Sequence, residues 1–290
     1  AVRIPVSAVV LTYNEELNLP NCLASLRDVV AEIHVVDSGS TDRTCDIAKE
    51  YGAHVVTHEF AGHSPQWQWA LSSLPLQHDW VLGLDADQRL TPELTIELLE
   101  LFEKPERTSG YAAFYVARRN VFRGKWIRWG GYYPKHLLKL FRRDRLLHES
   151  ADLLDHHFHV TGKVGKLRHD IIEENLKEDD IDFWIKKHLR YAELLAREEV
   201  RRQNGIAPTH VKPALLGSPD ERAEWQKRTW TMLPRFVRAP AYFMWRYIFL
   251  LGFLDGKQGF AFHFLHAFWF RLITDLKLEE QRERNARTRH

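Results

Sequence analysis

The sequence predicts an α/β protein whose sheet is largely parallel and carries helices on both faces. Three observations predict it. Over the first hundred residues, apolar runs of strand length alternate with helical segments, the connections between them are short, and two of the runs end in aspartate. The chain has 290 residues, of which 44% are hydrophobic and 12% aromatic. That is enough for a full α/β core and a second, smaller unit.

Local signals define the elements of this first part. Short apolar runs predict strands, and periodic segments bounded by capping residues or glycine predict helices. The predicted strands cover residues 6–11, 33–37, 54–58 and 80–84, and the predicted helices cover residues 17–26, 43–51, 66–74 and 92–102.

After Gly110 the pattern becomes aromatic, and we expect strands at residues 111–117 and 136–142. The stretch between them, residues 126–134, combines two glycines and a proline with large aromatic side chains. This composition favours a mobile flap that covers a ligand. Residues 179–203 predict a charged amphipathic helix. We therefore expect a catalytic domain at 1–178, made of a nucleotide-binding half at 1–104 and an acceptor half at 105–178, then a helical extension at 179–231 and a terminal region at 232–290.

Charge and cysteine content exclude several classes of protein. With 41 basic and 39 acidic residues the formal net charge is +2, so nothing indicates nucleic-acid binding. Cys22 and Cys45 have neither metal nor redox spacing, which favours reduced thiols in a cytosolic protein. The apolar run at residues 6–11 is strand-length and leads straight into polar residues. We therefore expect no cleaved export signal.

Residues 80–90 read WVLGLDADQRL, an apolar run that ends in Asp85 and Asp87. A strand that delivers two carboxylates to its carboxyl end is suited to hold a divalent cation against a phosphate-bearing ligand. The alternative is a solvated turn, which is common for an isolated Asp-x-Asp. Thr91 and Pro92 favour the first reading, because they predict a capped helix immediately after the acids.

A second apolar run, IHVVDSGSTD, ends in Asp37 and Ser38. Because this run predicts a neighbouring parallel strand, we expect Asp37 to lie at the same sheet edge as the paired acids and to contact a base or ribose. The alternative is a plain helix cap by Asp42. After the first strand, residues 12–16 read TYNEE and not Gly-x-Gly-x-x-Gly, so the sequence does not favour a dinucleotide dehydrogenase.

Three motifs, VVLTYNEELNL, VVDSGSTDRT and LDAD, in this order and spacing resemble the nucleotide-binding half of family 2 glycosyltransferases with the GT-A fold. The later YYPKHLLKLFRR with Leu147-His148-Glu149 resembles, more narrowly, the bacterial branch containing lipopolysaccharide-core β-glucosyltransferases. The resemblance implies a Rossmann-like GT-A sheet, a nucleotide-diphosphate sugar donor, expected to be a UDP-sugar, and Mg²⁺ or Mn²⁺. It implies that the donor is bound through Thr12, Asn14, Glu15, Asp37, Ser38, Asp85 and Arg142.

An inverting transfer needs a cation for the leaving diphosphate and a base for the acceptor hydroxyl. The resemblance makes Asp87 the direct metal ligand, with Asp85 on the ribose or a metal-bound water, and His169 a further ligand of the metal or diphosphate. It places the base at Glu149. The alternatives are that Glu149 is a surface glutamate, that His169 is a structural histidine and that Arg142 is a solvated charge at a strand end.

Two departures from the family pattern leave the donor open. Gln88 stands where these enzymes often carry glutamate, and residues 66–69 replace a basic residue and an asparagine. A zinc site at His156, His157 and His159 is not expected, since adjacent side chains on a strand point to opposite faces.

Residues 232–275 are rich in aromatic side chains and carry five basic against two acidic residues. No apolar run reaches the roughly 20 residues that a spanning helix needs. We expect two short helices at a membrane interface, where Trp, Tyr and cations are favoured. The alternative is that both helices are ordinary core.

The leading hypothesis is an inverting, metal-dependent hexosyltransferase that acts on a lipid-linked glycan at the cytoplasmic face of a bacterial inner membrane. A rival keeps the fold and makes polyprenyl phosphate the acceptor, which needs little or no base. Glu149→Gln separates the two. A hypothesis of another class is a non-catalytic module that binds a nucleotide sugar.

Overall fold

The computed structural model describes residues 3–147, 158–203 and 213–287. They form two compact units. The first comprises residues 3–121, 134–147 and 158–177, and the second comprises Phe122–Tyr133 with residues 178–203 and 213–287. Most of the predicted flap therefore belongs to the second unit and not to the acceptor half. The regions expected at 179–231 and 232–290 share that unit.

The first unit has the predicted α/β class, with strands and helices that alternate along its amino-terminal half. The strands in chain order are β1 (Ile4–Thr12), β2 (Val30–Asp37), β3 (His54–Thr57), β4 (Trp80–Asp85), β5 (Gln88–Leu90), β6 (Tyr111–Phe122), β7 (Lys125–Ile127, in the second unit), β8 (Lys135–Arg142), β9 (Leu146–Leu147), β10 (His159–Val160) and β11 (Lys163–Glu174). The helices are α1 (Leu19–Leu26), α2 (Thr44–Glu50), α3 (His63–Ser73), α4 (Pro92–Glu103) and α5 (Pro105–Thr108).

One half of the main sheet is parallel, as predicted. The strand order is β3-β2-β1-β4-β8-β6-β11-β5, and β1 pairs parallel with both β2 and β4. In this register Thr12 lies opposite Asp37, and Leu11 lies opposite Asp85. The carboxyl ends of three neighbouring strands thus meet at one edge.

The other half of the sheet is mixed. β8 runs antiparallel to β4 and β6, β11 is parallel to β6, and the short β5 is antiparallel to β11. We did not predict β5 or β11. The β6–β11 register shifts between Lys166 and Asp170, so β11 lacks the regular alternation that identifies a strand in sequence.

Apolar layers cover both faces of the sheet. Val10 packs in the layer with α1 and α4, whereas Val9 packs in the layer with α3, because successive side chains of a strand point to opposite faces. Each Val or Leu fully buried in this way stabilises the fold by about 1.5–3 kcal/mol. Thr91 caps α4 as predicted, since its hydroxyl accepts a hydrogen bond from the Leu94 N–H.

The second unit is helical around a small aromatic core. Its helices are α6 (Ile181–Gln203), α7 (Pro219–Thr231), α8 (Arg238–Met244), α9 (Gly256–His263) and α10 (Phe270–Arg287). α6 begins two residues later than predicted. Trp184 is fully buried, packs with Phe122, Ile127 and Phe262, and stacks on His188 with ring centroids 3.6 Å apart.

The predicted flap is held by hydrogen bonds within the second unit. The backbone N–H groups of Arg128 and Trp129 donate to the two carboxylate oxygens of Asp255, at 3.2 and 2.9 Å. Gly130 donates to the Leu250 carbonyl at 2.9 Å. The segment is therefore anchored at its centre.

The region after residue 232 is broken into short helical pieces. α8 continues into a π-helical turn, Trp245–Phe249, and Leu251 then takes a left-handed conformation with φ 61°. A 3₁₀ turn, Gly252–Asp255, leads into α9. In the described part of the chain, no helix combines the length and apolar character required to cross a bilayer.

Candidate active site

The candidate site lies where β1, β2 and β4 end. Thr12, Asp37 and Asp85 are the last residues of these strands. Side chains at the carboxyl edge of a parallel sheet face the crevice in which α/β proteins bind ligands. The structure therefore brings these three predicted residues together.

Asp37 organises the turn that follows β2. Its carboxylate accepts the Thr12 hydroxyl at 2.9 Å, the Ser40 hydroxyl, and the N–H groups of Gly39 and Ser40 at 3.0 and 2.7 Å. These four bonds use the four acceptor sites of a carboxylate. Asp37 is only 1% exposed. In this conformation it shapes the loop, and direct contact with a base would have to exchange one of these bonds.

The loop after β1 is joined to the same turn. Asn14 has φ 52°, a left-handed conformation that asparagine tolerates. Its N–H donates to the Ser40 hydroxyl, and its side-chain oxygen accepts the Thr41 N–H, both at 2.8 Å. Lys177, just past β11, donates to the Asn14 carbonyl at 3.1 Å and pairs with Glu15. Lys177 thus adds a positive charge to the loop that carries Asn14 and Glu15.

Ser38 is supported from α3. Gln66, fully buried, donates to the Ser38 hydroxyl at 3.3 Å, and its side-chain oxygen accepts a hydrogen bond from His58 Nδ1 at 2.8 Å. The His58 ring stacks on Trp69 with centroids 4.0 Å apart. The residues that depart from the family pattern at 66–69 therefore still serve this loop.

Asp85 is paired with a buried lysine. Lys139, in the middle of β8, places its ammonium nitrogen 3.0 Å from one carboxylate oxygen of Asp85, whose side chain is 43% exposed against 9% for Lys139. Burial opposes ionisation of Asp85. The Lys139 charge and hydrogen bond, with His63 and Arg118, outweigh that effect and hold the pKa of the Asp85 carboxyl below its ordinary value. Asp85 is accordingly ionised at neutral pH.

Asp87 is held from the end of β11. The Asn175 side-chain amide donates to an Asp87 carboxylate oxygen at 3.3 Å, and the Glu174 N–H donates to the Asp87 carbonyl at 2.9 Å. Asn175 also accepts a hydrogen bond from Asn18 at 3.0 Å. Asn175 therefore links the second acid to the loop after β1.

Gln88 connects the acids to a third carboxylate. Its side-chain oxygen accepts the Asp85 N–H at 3.2 Å, and its amide donates to Glu173 at 2.7 Å. Arg118 donates to both oxygens of Glu173, at 2.7 and 2.9 Å. A carboxylate of β11, itself paired with Arg118, thus stands next to Gln88.

Two predicted site residues lie elsewhere. His169 precedes Glu173, the partner of Gln88, by four residues, or about 13 Å of strand, and its N–H donates to Glu97 of α4 at 2.9 Å. Asn175, not His169, contacts Asp87. Arg142 lies opposite Trp80, at the amino end of β4, and pairs with Asp144 at 3.0 Å. Because β8 runs antiparallel to β4, its end points away from the acids.

Other predictions fall partly or wholly outside the described residues. Glu149, the expected base, lies in the undescribed segment 148–157, as do His156 and His157. His159 is described and pairs with Leu147 in a two-stranded ribbon. Within the described ranges, no group of three His, Cys, Asp or Glu side chains could hold a metal by itself.

Sequence reasoning missed Lys139, Arg118, Glu173, Asn175 and Lys177. One signal was available for Lys139, because a lysine in the middle of the apolar run HLLKLF needs a buried partner. The other four depend on β11 and its pairing, which the local pattern did not indicate.

Comparison with known proteins identifies the family. Residues 7–162, just over half of the chain, match the family model for glycosyl transferase family 2. The chain belongs to glycosyltransferase family 2. The matched segment contains most of β1 and all of β2 and β4, with Thr12, Asp37 and Asp85 at their ends, so the predicted family and the predicted enzyme class are confirmed.

Curated relatives of this glycosyltransferase match over nearly full length. The lipopolysaccharide core biosynthesis glycosyltransferase LpsC of Rhizobium meliloti is 27% identical, over 91% of either chain. The uncharacterized glycosyltransferase RP128 of Rickettsia prowazekii is 26% identical, over 95% of this chain and 89% of the relative. Among solved structures, glucosyl-3-phosphoglycerate synthase from Mycobacterium tuberculosis aligns at TM-score 0.44 with 16% identity, over 72% of this chain and 82% of that one.

Proposed function

We propose that this glycosyltransferase transfers a hexose, with inversion, from a UDP-sugar to a lipid-linked glycan at the cytoplasmic face of a bacterial inner membrane. The observation that carries the proposal is the position of Asp85 and Asp87. Asp85 is the last residue of β4 and Asp87 lies two residues further on, at the sheet edge shared with Thr12 and Asp37. A crevice at such an edge is where nucleotides bind in α/β folds.

The residues at this edge fit a divalent cation. Mg²⁺ is commonly bound by one or two carboxylates together with substrate phosphates, and not by a cage made of protein alone. Asp85 and Asp87 offer that ligand set, and Asp85 is ionised and partly exposed. Mg²⁺ or Mn²⁺ held there would neutralise charge on the departing diphosphate.

The chain's own cations and turns complete the donor site. Lys139 and Lys177 bring fixed positive charge to the acids and to the loop after β1. Charge placed in advance where a leaving group becomes anionic is a large source of catalysis. The Asp37 turn and Asn14 fix the loops on either side, so little reorganisation is needed when the donor binds.

The experiment that tests the proposal is metal-dependent turnover of UDP-sugars. We expect UDP release to require Mn²⁺ or Mg²⁺ and to fall by about 100-fold or more in Asp87→Ala, as when one electrostatic contact to a transition state is removed. Asp144→Ala, an acid at the opposite edge of the sheet, is the matched control and should keep its activity. Tight UDP binding with no turnover on any acceptor would instead support a non-catalytic module.

The acceptor base stays a prediction at Glu149. If the acceptor is a sugar hydroxyl, Glu149→Gln should abolish transfer, because the carboxylate that takes the hydroxyl proton is gone. Transfer to polyprenyl phosphate needs no such base and should survive. The name of the LpsC relative supports a glycan of the lipopolysaccharide type.

An exposed aromatic group supports contact with a membrane. Of the 26 large hydrophobic side chains exposed in the described residues, 13 lie between Met232 and Phe264. Phe253, Phe260 and Phe264 are 46, 49 and 39% exposed. Their rings are linked, since Tyr247 contacts Phe253 and Phe260, and Phe260 contacts Phe264, at centroid distances of 5.7–6.3 Å. A contiguous apolar area of this kind marks an interaction surface.

The charges in this region favour an anionic bilayer over a neutral partner. Both of its acids are buried and engaged, Asp255 by backbone N–H groups and Asp275 by Arg238. Lys257 and Arg271 are exposed. Aromatic rings with flanking cations suit the headgroup interface of anionic lipid.

Vesicle binding tests the membrane contact. We expect co-sedimentation with phosphatidylcholine vesicles that contain phosphatidylglycerol, and an affinity lower by about tenfold or more in the variant Phe253→Ser/Phe260→Ser, since each buried ring contributes roughly 1.5–3 kcal/mol. Leu189→Ser/Leu216→Ser removes exposed apolar side chains elsewhere in the unit and should change nothing. If the wild type is a dimer, and Phe253→Ser/Phe260→Ser is instead a monomer that binds vesicles normally, a second copy of the chain covers the rings.

A further inference from the structure

Lys139 is a buried cation in a strand whose neighbours are apolar. It lies between Leu138 and Leu140 of β8, is 7% exposed, and reaches Asp85 across the antiparallel pairing of β8 with β4. A buried lysine is rare unless it is paired. Its partner here is the first acid of the Asp-x-Asp unit, so its charge stands where the proposed cation would arrive.

The ammonium and a dication compete for the same carboxylate. Lys139 is 3.0 Å from an Asp85 oxygen, and its side chain is only 9% exposed, so water screens its charge poorly. A metal ion at Asp85 would meet this positive charge at short range. In the protein without donor, Lys139 therefore lowers the affinity of the acids for metal.

The diphosphate of the donor changes the balance. It brings negative charge into the same edge of the sheet, which offsets Lys139 and attracts the cation. Binding of metal and binding of diphosphate then favour each other, and the factor must be the same in both directions.

We infer that Lys139 couples metal binding to donor binding, so that the site takes up its cation together with the nucleotide and not before it. The inference rests on the proposed function. Lys139 acts through Asp85 and is in this sense a positioning residue. Its side chain can be replaced by methionine at similar volume, and Asp85, 43% exposed, keeps access to water when its partner is removed.

Mn²⁺ binding measured by calorimetry or electron paramagnetic resonance, with and without UDP, tests the inference without turnover. In Lys139→Met we expect Mn²⁺ to bind about tenfold more tightly in the absence of UDP, as removal of one poorly screened charge predicts. The stimulation of Mn²⁺ binding by UDP should fall by a similar factor. Lys139→Arg, which keeps the charge, should keep the weak Mn²⁺ binding in the absence of UDP, and Lys166→Met, an exposed lysine on β11, should behave as wild type.

A double-mutant cycle checks that Lys139 acts through Asp85. In an Asp85→Asn background, Lys139→Met should tighten Mn²⁺ binding by no more than about threefold, because competition for the shared carboxylate is gone and only through-space repulsion remains. Thermal unfolding confirms that each variant is folded.

The outcomes separate the inference from the proposed function. If the wild type binds Mn²⁺ with UDP but Lys139→Met shows the same affinities, or weaker Mn²⁺ binding without UDP, the inference is overturned and the function stands. If the wild type binds no Mn²⁺ even with UDP, the proposed metal-dependent function itself fails.

Discussion

Asp37 illustrates, at the residue scale, how one carboxylate fixes a loop. An amide at this position would turn a donor toward the Thr12 and Ser40 hydroxyls or the two N–H groups that now donate to Asp37. We predict that Asp37→Asn lowers the free energy of unfolding by about 1–3 kcal/mol, the cost of buried groups left without partners. Urea denaturation measures it. Asp28→Asn, an exposed acid with its side chain 68% accessible, should be neutral, and equal stability of both variants would contradict the assignment.

Gly83 shows the same dependence on one residue within the core. A Cβ atom at this position would lie 3.0 Å from Phe158 Cζ and 3.2 Å from Trp67 Cη2, closer than side chains normally pack. We predict that Gly83→Ala destabilises the protein by about 1–3 kcal/mol, as overpacking does. Thermal denaturation of the double variant Gly83→Ala/Phe158→Leu should show partial recovery. A single variant as stable as the wild type would show that the two rings move aside freely.

At the scale of elements, Asp255 connects the Trp126–Tyr133 segment to the helices of the second unit. It accepts the N–H groups of Arg128 and Trp129 and is 4% exposed. We predict that Asp255→Ala speeds amide hydrogen exchange at these two residues by tenfold or more, since two net hydrogen bonds contribute about 1–3 kcal/mol. Exchange measured by NMR or mass spectrometry reports it. Asp182→Ala, an exposed acid in the first turn of α6, should leave the segment protected.

The elements also show where the sequence could and could not predict the structure. β1 and β4 were predictable because each is a nearly continuous apolar run that ends in a polar residue, and β2 was predictable over its second half, residues 33–37, where the apolar residues are concentrated. β11 was not, since its twelve residues are largely polar and interrupted by a register shift. The positions of Lys139 and Arg142 depend on pairing between strands that are distant in sequence. The antiparallel pairing of β8 with β4 brings Lys139 to Asp85 and takes Arg142 to the opposite edge, and neither outcome is encoded in local periodicity.

The whole molecule combines two units with different kinds of core. The first is built from aliphatic layers on a sheet. In the second, His188 and His266 lie among Trp184, Phe262 and Phe270, with ring centroids 3.6–5.5 Å apart. Histidine is the side chain whose charge changes near neutral pH. The stability of the second unit should therefore depend on pH more steeply than that of the first.

Acid should unfold the second unit first. Burial lowers the pKa of His188 to about 4, and the nearby Lys187 charge adds to this effect. A hydrogen bond to the Trp184 carbonyl raises the pKa but does not offset burial. Burial and Arg246 lower the pKa of His263 to about 4, and burial with neighbouring charges lowers the pKa of His266 as well. A group whose folded pKa is depressed takes up its proton on unfolding, so its stabilisation is complete above pH 6.5 and is lost as pH falls toward 4.

The expected loss at pH 5 is about 2 kcal/mol for each of His188 and His263. Hydrogen exchange of α6 and α9, which carry His188 and His263, measures it at pH 7 and pH 5, with β1 and β4 of the first unit as the internal reference. His188→Gln, which cannot take up the proton, should reduce the pH dependence of α6 protection. If α6 and β1 lose protection in parallel over this range, the buried histidines do not control acid stability, and the carboxylates of both units do.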